Sequence, residues 1–260
     1  MTIMERLGIL VSARIVPLGL EGFEQLPKHA RRCVFWEVDP QTIPADEHLS
    51  DPEFEKEAWL SMVMLEWGSC GHIAVPHGEA ADGEAPPCTG YALYAPPYAV
   101  PRAQRFPTGP VSADAVLLTS MGVEPGQPEG LAEDLIVAVV TAAKRRGVRA
   151  LEAFGRTAAA TEIDPAGLTD ADADAVLALG DCAFGHCMIG AEFLIGVGFT
   201  VVSPHPYFPR LRLELDRELG WKAEVEAALE RLLDSARLEQ PVGAAMAGAT
   251  AGDRGTVRGE

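Results

Sequence analysis

The spacing of apolar and polar positions changes period repeatedly along the chain, and each change marks a strand or a helix. ARIVPLG (13–19) predicts a first strand, and LEGFEQLPKHARRC after it a short helix interrupted at Pro27. CVFWEV (33–38) is apolar and rich in β-formers, and predicts a short extended piece. Asp51 before Pro52 is a helix start: the carboxylate accepts from free amides, and proline needs no donor in the first turn. That helix carries Phe54, Ala58, Met62 and Leu65 on its predicted apolar face and stops before Gly68. GHIAVPHG and CTGYALYAPP predict a hairpin joined by an acidic loop. After a proline-rich passage, ADAVLLTSMGV (113–123) has the strongest strand pattern. Residues 130–146 predict an amphipathic helix ending in Lys-Arg-Arg before Gly147, where cations suit the carbonyl end and glycine a left-handed cap. RALEAFG predicts the next strand, IDPAGLTDADADAVLALGD an acidic insertion, and 188–197 another helix. FTVVSP and RLRLEL predict two strands, and WKAEVEAALERLLDSAR a last surface helix. This order gives one α/β domain with a mixed sheet over residues 1–239, followed by a Gly-, Ala- and Thr-rich tail at 240–260 predicted to be disordered.

Charge narrows the partners. The formal net charge is −17, which argues against DNA or RNA, since such binding needs clustered Lys and Arg to displace counterions. It leaves open cationic substrates or plain solubility. The amino terminus lacks a long apolar region with a small-residue cleavage site, and no run is long enough to span a bilayer. Five cysteines without a regular framework fit reduced thiols, so a cytoplasmic location is expected. DCAFGHCM brings Cys182, His186 and Cys187 close in sequence, with Cys33 or Cys70 as further ligands. A structural zinc site favours recognisable ligand pairs, and no CxxC pair is present, so no metal is expected.

The middle of the chain, LLTSMGVEPGQPEGLAEDL, with AEFLIGVGF downstream, resembles the GNAT superfamily of acyl-CoA-dependent N-acyltransferases over about residues 13–216. RRCVFWE, EKEAWLSMVMLEWGSCG, GYALYAPP and PRLRLEL resemble more closely actinobacterial GNAT-like proteins whose substrate is unassigned. The resemblance implies a mostly antiparallel mixed sheet flanked by helices, with central strands at 116–123 and 150–154 splayed into a wedge. Acetyl-CoA would be the cosubstrate, a small-molecule amine the acceptor, and a homodimer is admissible. Backbone groups of Met121, Gly122 and Val123 would hold the pantetheine arm and the acyl carbonyl, where negative charge builds during attack.

The family loop reads Val, any, Pro, two residues, Arg or Gln, Gly, any, Gly, any, Gly or Ala, and its amides face the pyrophosphate at a helix N-terminus. Here Val123, Pro125, Gly130 and Ala132 match, with Leu131 between the last two, but one residue is missing and Pro128 and Glu129 replace a basic or glutamine side chain and a glycine. Gln127 supplies a polar contact, whereas Glu133 and Asp134 suit a free helix terminus but repel phosphate. Downstream, Gly198 and Phe199 match the family, but Leu194 stands where a tyrosine acid is usual and Cys187 where an asparagine is. Leucine donates no proton. Candidates for the remaining roles are Glu152 and Glu66 as bases, His186 and Cys187 at the acyl end, Arg102 and Arg105 toward a 3′-phosphate, and Tyr94 and Tyr98 around the acceptor. Two readings follow: an N-acetyltransferase working by direct attack in a ternary complex, or a catalytically silent GNAT-fold module that binds a ligand or a protein.

Overall fold

The apolar, β-branched run at the middle of the chain forms the longest described strand, β4 (Ala115–Val123), and the sheet extends outward from it. In the computed structural model, which describes residues 13–39, 50–76, 86–161 and 187–215, β1 (Arg14–Pro17), β2 (Gly71–Val75), β3 (Gly90–Ala95) and β4 are successive antiparallel neighbours. β5 (Ala150–Arg156) lies parallel to β4, reached through α3 (Leu131–Arg145), as a parallel pair requires a crossover. β6 (Ile189–Gly190) pairs with β5, while β7 (Thr200–Ser203) and β8 (Arg210–Glu214) complete the order β1-β2-β3-β4-β5-β8-β7.

Helices cover both faces. On one, α3 buries Leu135, Ile136 and Val139 beside Leu194 of α5 (Ala191–Gly196) and Phe199. The helix starts at Gly130 (φ 94°) and is followed by Gly147 (φ 73°), two positions whose left-handed backbone favours glycine. On the other face lie a 3₁₀ turn (Leu20–Gln25), α1 (Lys28–Arg32) and α2 (Pro52–Glu66). Here Trp36 stacks on Phe154 at 5.1 Å and meets Phe35 edge-on at 4.7 Å, contacts worth about 0.5–1.5 kcal/mol each beyond the area they bury. A short helix α4 (Ala158–Thr161) follows β5.

Two expectations are corrected. Residues 35–38 form a turn, closed by Val38 N–H donating to Val34 O at 3.2 Å, rather than an extended piece; burying Phe35 and Trp36 together decides the matter against β-propensity. The buried face of α2 is Lys56, Trp59, Leu60 and Val63; Phe54, Ala58, Met62 and Leu65 are all exposed, Leu65 at 87%. The stripe is offset because Lys56 enters the core as the partner of Glu37, while Asp51 caps the helix as expected by accepting from Glu53 and Phe54 N–H. The acidic insertion at 164–181, the surface helix and the tail lie outside the described residues.

Candidate functional site

β4 and β5 share only three register positions, Ala115↔Ala150, Val116↔Leu151 and Leu117↔Glu152. Beyond them β4 stays with β3 as far as Gly90↔Val123, and β5 stays with the β8 side, where Gly155 N–H donates to Pro209 O at 2.8 Å and Thr157 N–H to Tyr207 O at 3.0 Å. The strands therefore separate, and the expected wedge opens between Leu118–Val123 and Ala153–Arg156. Its local cause is a bulge. Leu93 pairs with Ser120 but Tyr94 with Leu118, so Thr119 is the extra residue, and its hydroxyl donates to Leu93 O at 3.0 Å. Bulges bend a strand and increase its twist.

With β8 along one edge of β5, Ile189–Gly190 takes the other, the edge that β4 has left, in register with Gly155 and Arg156. The wide end of the wedge is thereby narrowed. Gly155 permits this approach: a Cβ there would sit 2.6 Å from Leu211 Cδ1 and 2.9 Å from Ala191 Cβ.

From Val123 the chain enters the loop, where Glu124 N–H donates to Thr89 O at 2.9 Å. Gly126 (φ 84°) and Gly130 are left-handed, and nothing lies within 4 Å of a Cβ built on either, so the loop is open to solvent. Gly130 offers no side-chain cap, and the first helical backbone bond is Asp134 N–H to Gly130 O at 2.9 Å. The amides of Ala132 and Glu133 thus belong to the unpartnered first turn, at the positive end of the 15-residue helix α3. Gln127 is half-buried, Leu131 is buried by its side chain and offers only its backbone, and Glu124, Glu129, Glu133 and Asp134 are exposed around the mouth. Met121 and Gly122 are half-buried along the wedge and Val123 is exposed at its rim.

Several candidates take other roles. Glu152 is fully buried and accepts from Arg210 at 2.7 Å, Arg212 at 3.1 Å and the Ser112 amide at 3.0 Å. Burial alone would raise its pKa, but Ser112 and the two guanidiniums outweigh it and hold the carboxyl below its ordinary value. With both oxygens engaged, Glu152 acts as the anion of a β5–β8 ion-pair network rather than as a base. Arg105 pairs with Asp39 at 2.8 Å and Arg102 lies 4.3 Å above the Phe35 ring, so neither is directed to a phosphate. Tyr94 is buried against His72 and Trp67, Tyr98 is 60% exposed, and Glu66 is exposed. Leu194 is wholly buried among Ala153, Phe199 and Leu211, an apolar position with no acid. Cys187 is buried beside Cys33 and His29; His186 lies outside the described residues.

Tyr91 escaped the sequence reading. It faces Gly122 across the β3–β4 register, and its ring carbon would lie 2.8 Å from a Cβ at that glycine. Burial, then charge on Cys33 and Cys88, push its pKa up to about 12 against the effect of a Ser120 hydrogen bond, so the phenol stays protonated next to the open part of β4. The only sequence signal was a glycine inside a strand, and its partner was not legible without the register.

No family model matches the chain, and no curated protein matches it. Solved structures do. The PaiA N-acetyltransferase of Thermoplasma acidophilum in complex with coenzyme A is 12% identical, with 78% of this chain and 99% of that one covered and a TM-score of 0.40. A GphF GNAT-like decarboxylase in complex with isobutyryl-CoA is 15% identical over 78% and 100% of the two chains, with a TM-score of 0.44. A GCN5-related N-acetyltransferase from Kribbella flavida is 15% identical over 78% and 98%, with a TM-score of 0.38. By its own strand order, a mostly antiparallel mixed sheet splayed at one parallel central pair, β4 and β5, the chain has a GNAT-type fold.

Proposed function

We propose that the protein is an acyl-CoA-dependent N-acyltransferase that moves an acetyl group to a small-molecule amine by direct attack. The observation that carries this reading is the departure of β4 from β5 after Leu117 and Glu152, which leaves β4 backbone facing a wedge that leads to the glycine loop and the N-terminus of α3. The space over Gly126 and Gly130 accommodates a pyrophosphate, and the first-turn amides of α3 favour one. The surrounding carboxylates oppose it, so the backbone, with Gln127, bears the recognition.

Acetyl-CoA would supply an activated thioester. For their part, the β4 backbone groups around Met121–Val123 orient the acyl carbonyl and stabilise charge on its oxygen, and the protonated Tyr91 phenol lies against Gly122 of that strand. An amine with a solution pKa near ~10 must lose a proton before it attacks, and with Glu152 held in ion pairs a water chain is the remaining route. A catalytically silent binding module is the second reading; it is favoured by Leu194 and by β6 lying along the edge that β4 vacates.

Thermal unfolding with acetyl-CoA tests the proposal. At 100 times its dissociation constant the ligand should contribute about 2.7 kcal/mol, and each kcal/mol raises Tm by about 2–4 °C in a domain of this size. Gly130→Glu should abolish the shift, while Gly130→Ala, which carries the same left-handed strain without the charge, should keep most of it. No shift at millimolar acetyl-CoA would leave the silent module; equal shifts in both variants would misplace the cradle.

A further inference from the structure

Three soft-metal donors from distant parts of the chain meet at the end of α1. His29 lies in that helix and Cys33 caps it four residues on, a spacing that puts both on one side. Cys187 arrives from the segment entering β6. Its Sγ is 3.7 Å from Cys33 Sγ and 3.5 Å from His29 Nε2, and the three donor atoms all lie within 4.8 Å of one another.

A tetrahedral zinc ion with Zn–S of about 2.3 Å and Zn–N of about 2.0–2.1 Å sets S···S near ~3.8 Å and S···N near ~3.6 Å. Both observed separations fall within about 0.1 Å of these values. A Cys33–Cys187 disulfide would need sulfurs at about 2.05 Å, so these two cysteines are not joined to each other. Cys187 is itself disulfide-bonded, which corrects the expectation of reduced thiols throughout. Cys187 is buried while Cys33 and His29 lie nearer the surface, which gives an ion a path from solvent and directs a fourth position outward. The nearby cations do not stand unopposed: Arg31 pairs with Glu24 and Glu53, and Arg32 with Glu53.

We propose that His29, Cys33 and Cys187 form a three-ligand Zn²⁺ site completed by reduction of Cys187. The reduction balances with a phosphine: the phosphine takes oxygen from water to become its oxide, and the disulfide sulfurs take the two protons to become thiols. Zinc then displaces the thiol protons of Cys33 and Cys187 and takes the Nε2 lone pair of His29, giving a neutral set with one position for water or a further ligand. Such an ion ties α1 to β6, the strand lying along the wedge.

The full-length, metal-stripped chain should be titrated with Co²⁺ as the optical probe, with and without phosphine. Reduced protein should bind one equivalent with a thiolate-to-cobalt charge-transfer band and intense tetrahedral d–d bands, both bleached by Zn²⁺. Cys33→Ser and His29→Gln should weaken binding at least about tenfold, while Cys70→Ser and Cys88→Ser should leave it unchanged. A reduced protein without the charge-transfer band, or an unaltered spectrum in Cys33→Ser, overturns the site. Equal binding without phosphine overturns the requirement for reduction. Should the variants fail to fold, X-ray absorption on the reduced, zinc-loaded wild type decides: two sulfurs and one imidazole support the assignment, and a shell of oxygen and nitrogen alone refutes it.

Discussion

Lys56 is 2% exposed, and its ammonium sits on the Glu37 carboxylate with the Trp59 ring 5.3 Å away. Removing one member of such a buried pair strands the other charge, so Lys56→Met should cost about 3–5 kcal/mol in urea denaturation, and Lys56→Met with Glu37→Leu should recover most of that. A double variant no better than the single one would show that packing, not the stranded charge, sets the loss. His72 makes a different statement. It is 6% exposed and stacked on Tyr94, and burial, then the Arg146 charge, lowers its pKa to about 4. The folded state keeps it neutral while the unfolded chain protonates it below about pH 6.5, so its contribution is fully present above about 6.5 and is lost as pH falls toward about 4. His72→Gln should flatten that part of the stability profile. A parallel acid loss in wild type and variant would assign it to the carboxylates instead.

Among the elements, α5 carries the sharpest test of the site. Leu194 on this helix has no exposed surface, so Leu194→Tyr adds a bulky phenol to a filled core and should cost about 1–3 kcal/mol, seen as a lower Tm. It should give at most a small gain in turnover. A large gain would mean that the chain is an acyltransferase lacking its acid. Most elements were legible because their signals are local: Asp51-Pro52 starts α2, the Lys-Arg-Arg-Gly run ends α3, and β4 reads as an apolar β-branched run. The face of α2 was not, because an apparent apolar stripe gave way to a buried lysine whose partner lies 19 positions away. The turn at 35–38 was missed for the same reason: two aromatic residues bury themselves at the expense of local preference.

At the scale of the molecule, the wedge and its loop could be placed from sequence because strand, loop and helix follow one another along the chain. What lines the wedge could not. Ile189–Gly190 along β5, Tyr91 opposite Gly122, and Cys187 beside a residue 154 positions earlier are all products of long-range assembly. Thr119 has one more consequence, a matter of odd and even. Up to the bulge, Val116 and Leu118 point to the α3 side and Leu117 to the α1–α2 side. An unbroken count would send Met121 to the α1–α2 side, yet Met121 packs on the α3 side and Ser120 bonds to Tyr91 of the opposite layer. One uncounted residue exchanges the two faces for the rest of the strand. Pair Thr119 regularly, with no bulge, and methionine and serine trade compartments; delete it, and both stay where they are.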